Sequence, residues 1–429
     1  MTTGVLLALT GPEEAELVSL LDAPGTGVQV VRRCADVPEV LAAGLAGLGS
    51  LAVLSAELPG LDRPVLRQLA GSGVRTVLVA AEDDADRCRA LGATTVTWEA
   101  AGAAEWARVV AELAGSEPAV VAAPAPPVPT AEDIGDAAGR VAVVWGPRGS
   151  PGRTTVAVNL AQELSERGEV LLVDADTEAP SVTQVLGVLD ETAGLAAAAR
   201  LAGDGRLDAE SLRGLTRRLK RGPRLLTGLT RADRWRELPA ASLDVVWERA
   251  RELAGWTVLD VGAGIDDPVG GLTSGIAPRR HQAALSALGA ADVVVVVGAG
   301  EPVGMHRLVM ALQELTESGV TAPHAQRVVV VNRVRGSATG ASPEQAVVES
   351  LARFAGVSAP VLVPDDRPAL DRAVLRGATL AEVAPGSRAR TALRDLAERV
   401  AGPAAESRAG RRRRRTPGRV LRAGRTGAG

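Results

Sequence analysis

The chain has 429 residues, a net charge of −3 and a hydrophobic share of 46%, enough apolar material for two or three globular domains. No apolar run approaches the roughly 18 residues of a membrane-spanning helix, and the opening MTTGVLLALTGPEE lacks the basic start of a signal peptide. The two cysteines, Cys34 and Cys88, have no metal-ligand or redox spacing. These features predict a cytoplasmic protein and argue against a disulfide framework or a cysteine-ligated metal cluster.

Residue usage is strongly biased. A single lysine, Lys220, stands against 47 arginines, and asparagine occurs only at Asn159 and Asn332. Such usage is typical of drift in a GC-rich genome, so arginine at a position where chemistry expects lysine is less surprising. The two asparagines are positions at which to look for a function.

Residues 1–115 alternate short apolar runs with helix-like stretches. GVLLALT, SLAVLSAEL, RTVLVAAE and TTVTW have the character of buried strands, while EEAELVSLLD and RPVLRQLAGSG are helix-like. This alternation predicts a small flavodoxin-like α/β domain with a parallel sheet.

The order of these runs, together with LAVLSAELPGLD and VAAEDDADRCRALGA, resembles a response-regulator receiver domain. Ser55 stands where a receiver has its phosphate-accepting aspartate, Thr10 and Gly11 stand where it has an acidic pair, and no lysine lies near Trp98. The resemblance therefore favours a pseudo-receiver that serves as a docking module. A phosphorylatable switch is the alternative.

A proline-rich stretch separates this segment from the rest of the chain. Residues 116–138 contain five prolines and no apolar periodicity, which is typical of a semi-extended linker. The sequence thus predicts a first domain over 1–115, a linker over 116–138, a second domain over 139–403 and a tail over 404–429.

The second domain has seven apolar runs with helix-like stretches between most of them. The runs are VAVVW, EVLLVDAD, RLLTGL, WTVLDVGAG, DVVVVVGAG, RVVVVNRV and APVLVPDD. This pattern predicts a doubly wound, mostly parallel α/β sheet whose ligand site lies at the carboxyl ends of the strands.

The stretch GPRGSPGRTT follows the first of these runs and precedes a helix-like segment, as a phosphate-binding loop does. Gly149 and Gly152 permit close approach of the backbone to phosphates, and Thr154 stands where a hydroxyl ligates Mg²⁺. Pro147 and Arg153 replace the first glycine and the lysine of the usual pattern. Strand-to-helix punctuation without a ligand is the alternative explanation.

Aspartates lie at the ends of two other strands. Asp174 and Asp176 end EVLLVDAD, and Asp260 ends WTVLD before a glycine-rich turn. Single aspartates at such places are often helix caps. Three of them beside a glycine-rich loop favour a site that holds Mg²⁺ and orients an attacking water.

Together these motifs resemble the MinD/ParA family of deviant-Walker ATPases over residues 140–402, and most of all its CpaE/TadZ branch, in which a receiver-like domain precedes the ATPase. The family loop K-G-G-x-G-K-T-T aligns without gaps with residues 148–155, so that Arg148 and Arg153 replace both lysines. Asn159 and Asn332 both fall on family positions, and VLVPDD resembles the family's late I-P-x-D turn.

The resemblance implies roles for individual residues. Arg153 would contact the β- and γ-phosphates, Arg148 would reach the phosphates of a partner across a nucleotide-sandwiched dimer, and Asn332 would read adenine. The implied catalytic residues are Asp176, Arg148 and Arg153; the nucleotide-binding residues are Gly149, Ser150, Gly152, Arg153, Thr154, Thr155, Asn332, Arg333 and Pro364; and the metal-site residues are Thr154, Asp174 and Asp260.

The function implied by the resemblance is a nucleotide switch that binds ATP and Mg²⁺, forms a homodimer and positions cellular machinery. Cargo in the family includes pilus or secretion apparatus, the division septum and chromosome partition complexes. Arginine is not a conservative replacement for lysine in a tight phosphate cradle, so ATP hydrolysis is left open. The alternative is a catalytically silent P-loop scaffold that acts through docking surfaces only.

Three weaker features complete the sequence. His281, His306 and His324 are scattered and predicted to be solvent-exposed, and the basic segment 192–236 is predicted to be a solvated face. Residues 408–429 carry nine arginines and no acid, which predicts a disordered electrostatic tether for anionic membrane or nucleic acid. A membrane helix is the less favoured alternative because Pro417 and Gly418 interrupt the segment. The predicted location is cytoplasmic, with peripheral contact at the inner face of the membrane as an option.

Overall fold

The computed structural model describes residues 2–116, 139–149, 151–189, 192–220, 222–266 and 279–402. The predicted linker from 117 onward, the tail from 403 and Ser150 of the loop lie outside these ranges. The described residues form two sheets, one of five strands and one of eight. Within them, no helix combines the length and apolar character needed to cross a bilayer.

The first sheet is parallel, with strand order β2-β1-β3-β4-β5. Its strands are β1 (Thr3–Ala8), β2 (Val28–Arg33), β3 (Leu51–Ser55), β4 (Arg75–Ala80) and β5 (Thr95–Trp98). Its helices are α1 (Glu13–Leu21), α2 (Val37–Leu45), α3 (Arg63–Gly71), α4 (Ala85–Leu91) and α5 (Gly102–Gly115). This order is that of flavodoxin-like doubly wound sheets, as the alternation of runs predicts.

Both faces of this sheet are covered. Leu17 of α1 and Trp106 of α5 are buried against one face, and Val40 of α2 and Leu66 of α3 against the other. Ser55, which the sequence predicts to stand in place of a receiver's acceptor aspartate, is buried. Its hydroxyl lies 3.4 Å from the Thr10 hydroxyl, which donates to it.

The second sheet has the order β13-β12-β11-β6-β10-β7-β9-β8 and is parallel except for its antiparallel β8–β9 edge. Its strands are β6 (Arg140–Trp145), β7 (Val170–Ala175), β8 (Arg217–Arg218), β9 (Arg224–Leu226), β10 (Trp256–Val261), β11 (Val293–Ala299), β12 (Gln326–Val334) and β13 (Val361–Pro364). Its helices are α6 (Arg153–Ser165), α7 (Val182–Val185), α8 (Gly194–Gly203), α9 (Ala209–Leu215), α10 (Ala240–Leu253), α11 (Gln282–Gly289), α12 (Pro302–Glu317), α13 (Gly336–Thr339), α14 (Pro343–Ala355), α15 (Arg367–Leu375), α16 (Leu380–Val383) and α17 (Arg388–Ala401). Short 3-10 turns occur at Glu82–Asp84, Glu99–Ala101 and Ala232–Glu237.

The central strands of this sheet are valine-rich because both of their faces are buried. Val143 and Val294 point to a core shared with α8, α10, α11 and α12, while Val144 and Val295 point to a core shared with α6 and α17. This is the doubly wound, mostly parallel α/β architecture predicted from the sequence.

Helix α6, which follows the phosphate-loop segment, is anchored by polar contacts in the second of these cores. Asn159 Nδ2 donates to the Thr155 carbonyl at 2.8 Å, and its Oδ1 accepts from Leu380 N at 2.9 Å. Arg390 Nε donates to Glu163 Oε1 at 2.7 Å, and both side chains are almost fully buried. These contacts join α6 to α16 and α17.

The two sheets meet through helices α3 and α4 on one side and α8 and α10 on the other. Arg67 Nη1 donates to Asp244 Oδ2 at 2.6 Å, and Arg87 Nε donates to the Asp204 carbonyl at 3.2 Å. Gly205 has a φ of 70°, and a Cβ built there would lie 2.8 Å from the Arg87 carbonyl oxygen. A residue with a side chain at 205 would therefore push the two units apart.

Candidate functional site

The candidate site lies at the carboxyl ends of β6, β7, β10 and β12, with β6, β10 and β7 adjacent and β12 two strands from β6. Because β10 pairs in register with both β6 and β7, Asp260 stands beside Val144 on one side and Asp174 on the other. The loop after β6 and the two acidic strand ends are therefore neighbours in space. The arrangement is the ligand-binding edge expected of an open parallel sheet.

The loop between β6 and α6 requires glycine at two positions. Gly149 and Gly152 have φ values of 108° and 98°, in a region that side chains avoid. A Cβ at Gly149 would lie 2.2 Å from Arg307 Nη1, and one at Gly152 would lie 2.3 Å from Asn332 Nδ2. Gly152 leads directly into α6, so the loop ends at a helix N-terminus, where free backbone N–H groups favour an anion.

Asp174 organises the segment that follows β7. Its Oδ2 accepts from the backbone N–H groups of Ser181 and Val182, both at 3.0 Å, and its Oδ1 accepts from Asp176 N at 3.3 Å. Burial raises the pKa of Asp174 to about 7, although these hydrogen bonds oppose the shift. The Ser181 hydroxyl held by this turn lies 3.2 Å from the Thr154 hydroxyl.

Asp260 has the most unusual environment in the site. Its side chain is fully buried, and neither carboxyl oxygen has a hydrogen-bond partner within the described ranges. Burial, followed by the charge of Asp174, raises the pKa of Asp260 well above its ordinary value, while the Thr154 hydroxyl, which faces the carboxyl without meeting hydrogen-bond geometry, acts in the opposite direction. A buried carboxyl without partners is costly for a stable fold, so such a group is a functional candidate.

Arg153 folds back onto its own loop. Its Nη1 donates to the carbonyls of Gly146 at 3.2 Å and Pro147 at 3.1 Å, and its Nη2 lies 3.4 Å from Asp176 Oδ2. Its Nε is buried and has no partner among the described residues. Asp176 in turn accepts from Glu178 N at 2.8 Å through Oδ1. The structure thus brings the predicted pair Arg153 and Asp176 together, with the arginine directed at carbonyls of the loop.

Arg148 lies at the outer side of the loop, in a cluster that sequence reasoning missed. Its Nη2 is 3.5 Å from Asp266 Oδ1 and 3.8 Å from Glu178 Oε1. His281 Nδ1 is 3.3 Å from the same Glu178 oxygen, and its ring covers Gly264. In the sequence, Glu178 and Asp266 could have been found only because they closely follow the predicted site residues Asp176 and Asp260.

The prediction that all three histidines are exposed is wrong for His281, whose side chain is only 12% exposed. It is enclosed because α11 begins beside the turns that follow β7 and β10. His306 is exposed, as predicted. The prediction that the basic segment 192–236 is a solvated face holds only in part: Arg217 and Arg218 form the exposed edge strand β8, but α8 and Leu226 of the same segment pack into the core.

The second of the chain's two asparagines, Asn332 in strand β12, contacts the loop. Asn332 is buried, its Nδ2 donates to the Pro151 carbonyl at 2.9 Å, and its Oδ1 accepts from Arg333 N at 2.9 Å. Arg333 has a φ of 59°, unusual for a residue with a side chain. Pro364 ends β13 next to Val334 of β12. These residues therefore lie at the same edge as the loop, and Asn332 supports the loop backbone.

The described residues fit a nucleotide with Mg²⁺. A hydroxyl and an unpartnered carboxyl, from Thr154 and Asp260, supply the oxygen ligands that Mg²⁺ takes. The loop has positive φ values that favour glycine at Gly149 and Gly152, and it opens at the N-terminus of α6.

The sequence profile of the CobQ/CobB/MinD/ParA nucleotide binding domain family matches residues 142–380. The chain belongs to this family. The match begins in β6 and ends in α16, so it contains every residue of the candidate site. Among curated proteins, no relative of the chain was found.

Solved structures of ParA and MinD proteins resemble about three fifths of the chain. A ParA family ATPase from Chlorobium tepidum has a TM-score of 0.50 and 18% identity, over 60% of this chain and 98% of its own. The cell division ATPase MinD of Pyrococcus furiosus has a TM-score of 0.48 and 21% identity, over 61% of this chain and 98% of its own. MinD from Pyrococcus horikoshii, solved with Mg-ADP, has a TM-score of 0.47 and 21% identity, over 61% of this chain and 96% of its own. At this identity the likeness concerns the fold alone.

Proposed function

We propose that the protein is an ATP- and Mg²⁺-binding switch of the MinD/ParA type. The observation that carries the proposal is the Asp260 carboxyl, buried without partners next to Thr154 and below a glycine loop. Leaving a buried carboxyl unpaired costs about 1–3 kcal/mol or more. A bound cation would offset that cost and would favour the ionised form of the Asp260 carboxyl.

Each residue of the site has a role in this proposal. Thr154 and Asp260 hold the metal, and Asp174 maintains the metal site by fixing the Ser181 turn. The phosphates lie against the loop N–H groups and the N-terminus of α6, where Mg²⁺ supplies charge neutralisation when bound. Asp176 is placed to orient a water.

The proposal extends to a homodimer in which Arg148 contacts the partner's phosphates. Its side chain is 65% exposed, and among the described residues its guanidinium pairs with two carboxylates at 3.5 and 3.8 Å, weak surface contacts that allow it to reorient. A dimer of this type would position pilus, secretion, septum or partition machinery, in the manner of the CpaE/TadZ branch. In that scheme residues 1–115 form a pseudo-receiver docking module, 116–138 a linker, 139–403 the ATPase domain and 404–429 a basic tether for anionic membrane or nucleic acid.

The test is calorimetric titration of the full chain with ATP and with ADP, each with Mg²⁺ and each repeated in EDTA. Light scattering would follow dimer formation, and phosphate release would follow hydrolysis. Binding that requires Mg²⁺ and is lost in Asp260→Asn supports the proposal. Absence of binding at millimolar ATP would refute it.

A second candidate, a silent P-loop scaffold, is favoured by the contacts of Arg153. Two of its N–H contacts are made to loop carbonyls and its charge lies close to Asp176, so it offers less to a phosphate than the family lysine would. Nucleotide-independent self-association and no phosphate release would support the scaffold. Nucleotide-dependent dimerisation would exclude it.

A further inference from the structure

The loop is approached by a third arginine, Arg307 of helix α12. Its Nη1 lies so close to the loop that a Cβ on Gly149 would be 2.2 Å away. Arg148 and Arg153 belong to the segment that follows β6, whereas Arg307 lies in the helix that follows β11. The loop motif therefore gives no indication that Arg307 is part of the site.

Tight packing at the start of α12 brings Arg307 to this place. Strand β11 pairs with β6 in register, with Val296 beside Trp145, so that α12 begins next to the loop. A Cβ at Gly304 would lie 2.6 Å from the Ala299 carbonyl oxygen, so the first turn of α12 lies directly on the end of β11. The position of Arg307 is thus built into the fold.

Arg307 also differs from the other two arginines in its charge environment. Arg153 is paired with Asp176, and Arg148 lies near Glu178 and Asp266. Within the described ranges, the guanidinium of Arg307 makes no ion pair or hydrogen bond, and its side chain is exposed. No carboxylate of the described ranges lies within 4.0 Å of the Arg307 guanidinium, so no ion pair there offsets its charge.

The space in front of Arg307 can receive an anionic group. A cleft of ≈ 440 Å³ is bordered by the loop at Arg148 and Gly149, by the turn after β10 and by α12 at Arg307; two carboxylates, Asp266 and Glu314, also line it, farther than 4.0 Å from the Arg307 guanidinium. This is the end of the loop near the Asp260 turn, away from Asn332, which contacts the loop at Pro151. A nucleotide with its base toward β12 would place its terminal phosphate here.

We propose that Arg307 binds the terminal phosphate of the nucleotide and supplies the free positive charge that the loop lacks in place of its lysines. The inference rests on the proposed function and deepens it. An arginine fork can make two charge-assisted hydrogen bonds to one phosphate, and such bonds are among the strongest that proteins form. Arg307 thereby distinguishes a triphosphate from a diphosphate.

The experiment is calorimetric titration of the full chain with Mg²⁺ and either the non-hydrolysable triphosphate AMP-PNP or ADP. In Arg307→Ala we expect about 10- to 100-fold weaker AMP-PNP binding and less than about 3-fold weaker ADP binding. Arg307→Lys keeps the charge without the fork, so an intermediate loss is expected. Arg353→Ala, which removes another exposed arginine, in α14, is the matched control and should change neither affinity.

Three results separate the proposals. Equal AMP-PNP and ADP losses in Arg307→Ala, or no loss of AMP-PNP binding, would overturn the role of Arg307 and leave the nucleotide switch standing. Failure of the unmodified chain to bind either nucleotide would overturn the switch itself. Because the Arg307 side chain is exposed and makes no ion pair within the described ranges, an unchanged Tm in Arg307→Ala is expected and would show that a lost affinity is not a loss of folding.

Discussion

Asn332 and Gly152 are in direct contact across the loop, and each restricts the other. Asn332 Nδ2 donates to the carbonyl of Pro151 at 2.9 Å, and it occupies the space that a Cβ on Gly152 would need, 2.3 Å away. The loop between β6 and α6 is therefore braced from β12, two strands away in the sheet. Bracing of this kind keeps the loop N–H groups in place before a ligand arrives, so that less ordering is left for binding.

Gly152→Ala tests this contact from the loop side. The added methyl would meet the Asn332 amide, and alanine is unfavourable at a φ of 98°, so we expect nucleotide affinity to fall at least about tenfold and stability by about 1–3 kcal/mol. Gly168→Ala is the matched control, since no atom lies within 4 Å of a Cβ there. Calorimetry and urea unfolding measure both effects. Equal behaviour of the two variants would show that the loop is not braced in this way.

Asn332→Asp tests the same contact from the strand side. The carboxylate cannot donate to the Pro151 carbonyl, so two oxygens would face each other in a buried place. We expect a loss of about 1–3 kcal/mol in unfolding free energy. We also expect weaker nucleotide binding, because the loop loses its support. Asn159→Asp keeps the acceptor for Leu380 N and loses only the donation to the Thr155 carbonyl within α6, so it should reduce stability with a smaller effect on affinity; the opposite order would contradict the bracing role.

The strand ends carry most of the information that the sequence holds about this site. Buried valine runs must end at one edge of a parallel sheet, which is why the sequence alone places Asp174 and Asp260 together. Side-chain direction could not be predicted, because it depends on packing across the sheet. Arg153 points to its own loop carbonyls, and Arg307 reaches the loop from a helix more than 150 residues later. The enclosure of His281 likewise depends on how α11 meets two turns from other strands.

Asp260→Asn should make the metal-free protein more stable at alkaline pH. Burial holds the pKa of Asp260 well above its unfolded value, and the groups that face it are Asp174, Asp176, Arg153 and Thr154. The folded state therefore retains a proton that the unfolded state releases, so this stabilisation is complete below about pH 4 and is lost as pH rises through the raised pKa.

The asparagine variant carries no charge, so it should match the unmodified chain near pH 4 in EDTA, and its advantage should grow above that pH by about 1.4 kcal/mol per pH unit until the raised pKa is reached. The same variant should lose the stabilisation that Mg²⁺ and ATP give together. Urea unfolding between pH 4 and 8 measures the difference between the two proteins, in which titrating groups that do not interact with Asp260 cancel. A difference that does not change with pH would show that Asp260 is not held protonated.

Arg390→Met tests the buried ion pair that joins α17 to α6. The substitution leaves Glu163, whose side chain is 2% exposed, without its closest partner at 2.7 Å. Uncompensated buried charges cost about 3–5 kcal/mol, and we expect the lower end because Arg394 lies 3.5 Å from the same carboxylate. The double variant Arg390→Met with Glu163→Gln removes both charges and should recover part of the loss in urea unfolding. If the double variant were no more stable than the single one, the cost would come from lost packing of the arginine and not from the buried charge.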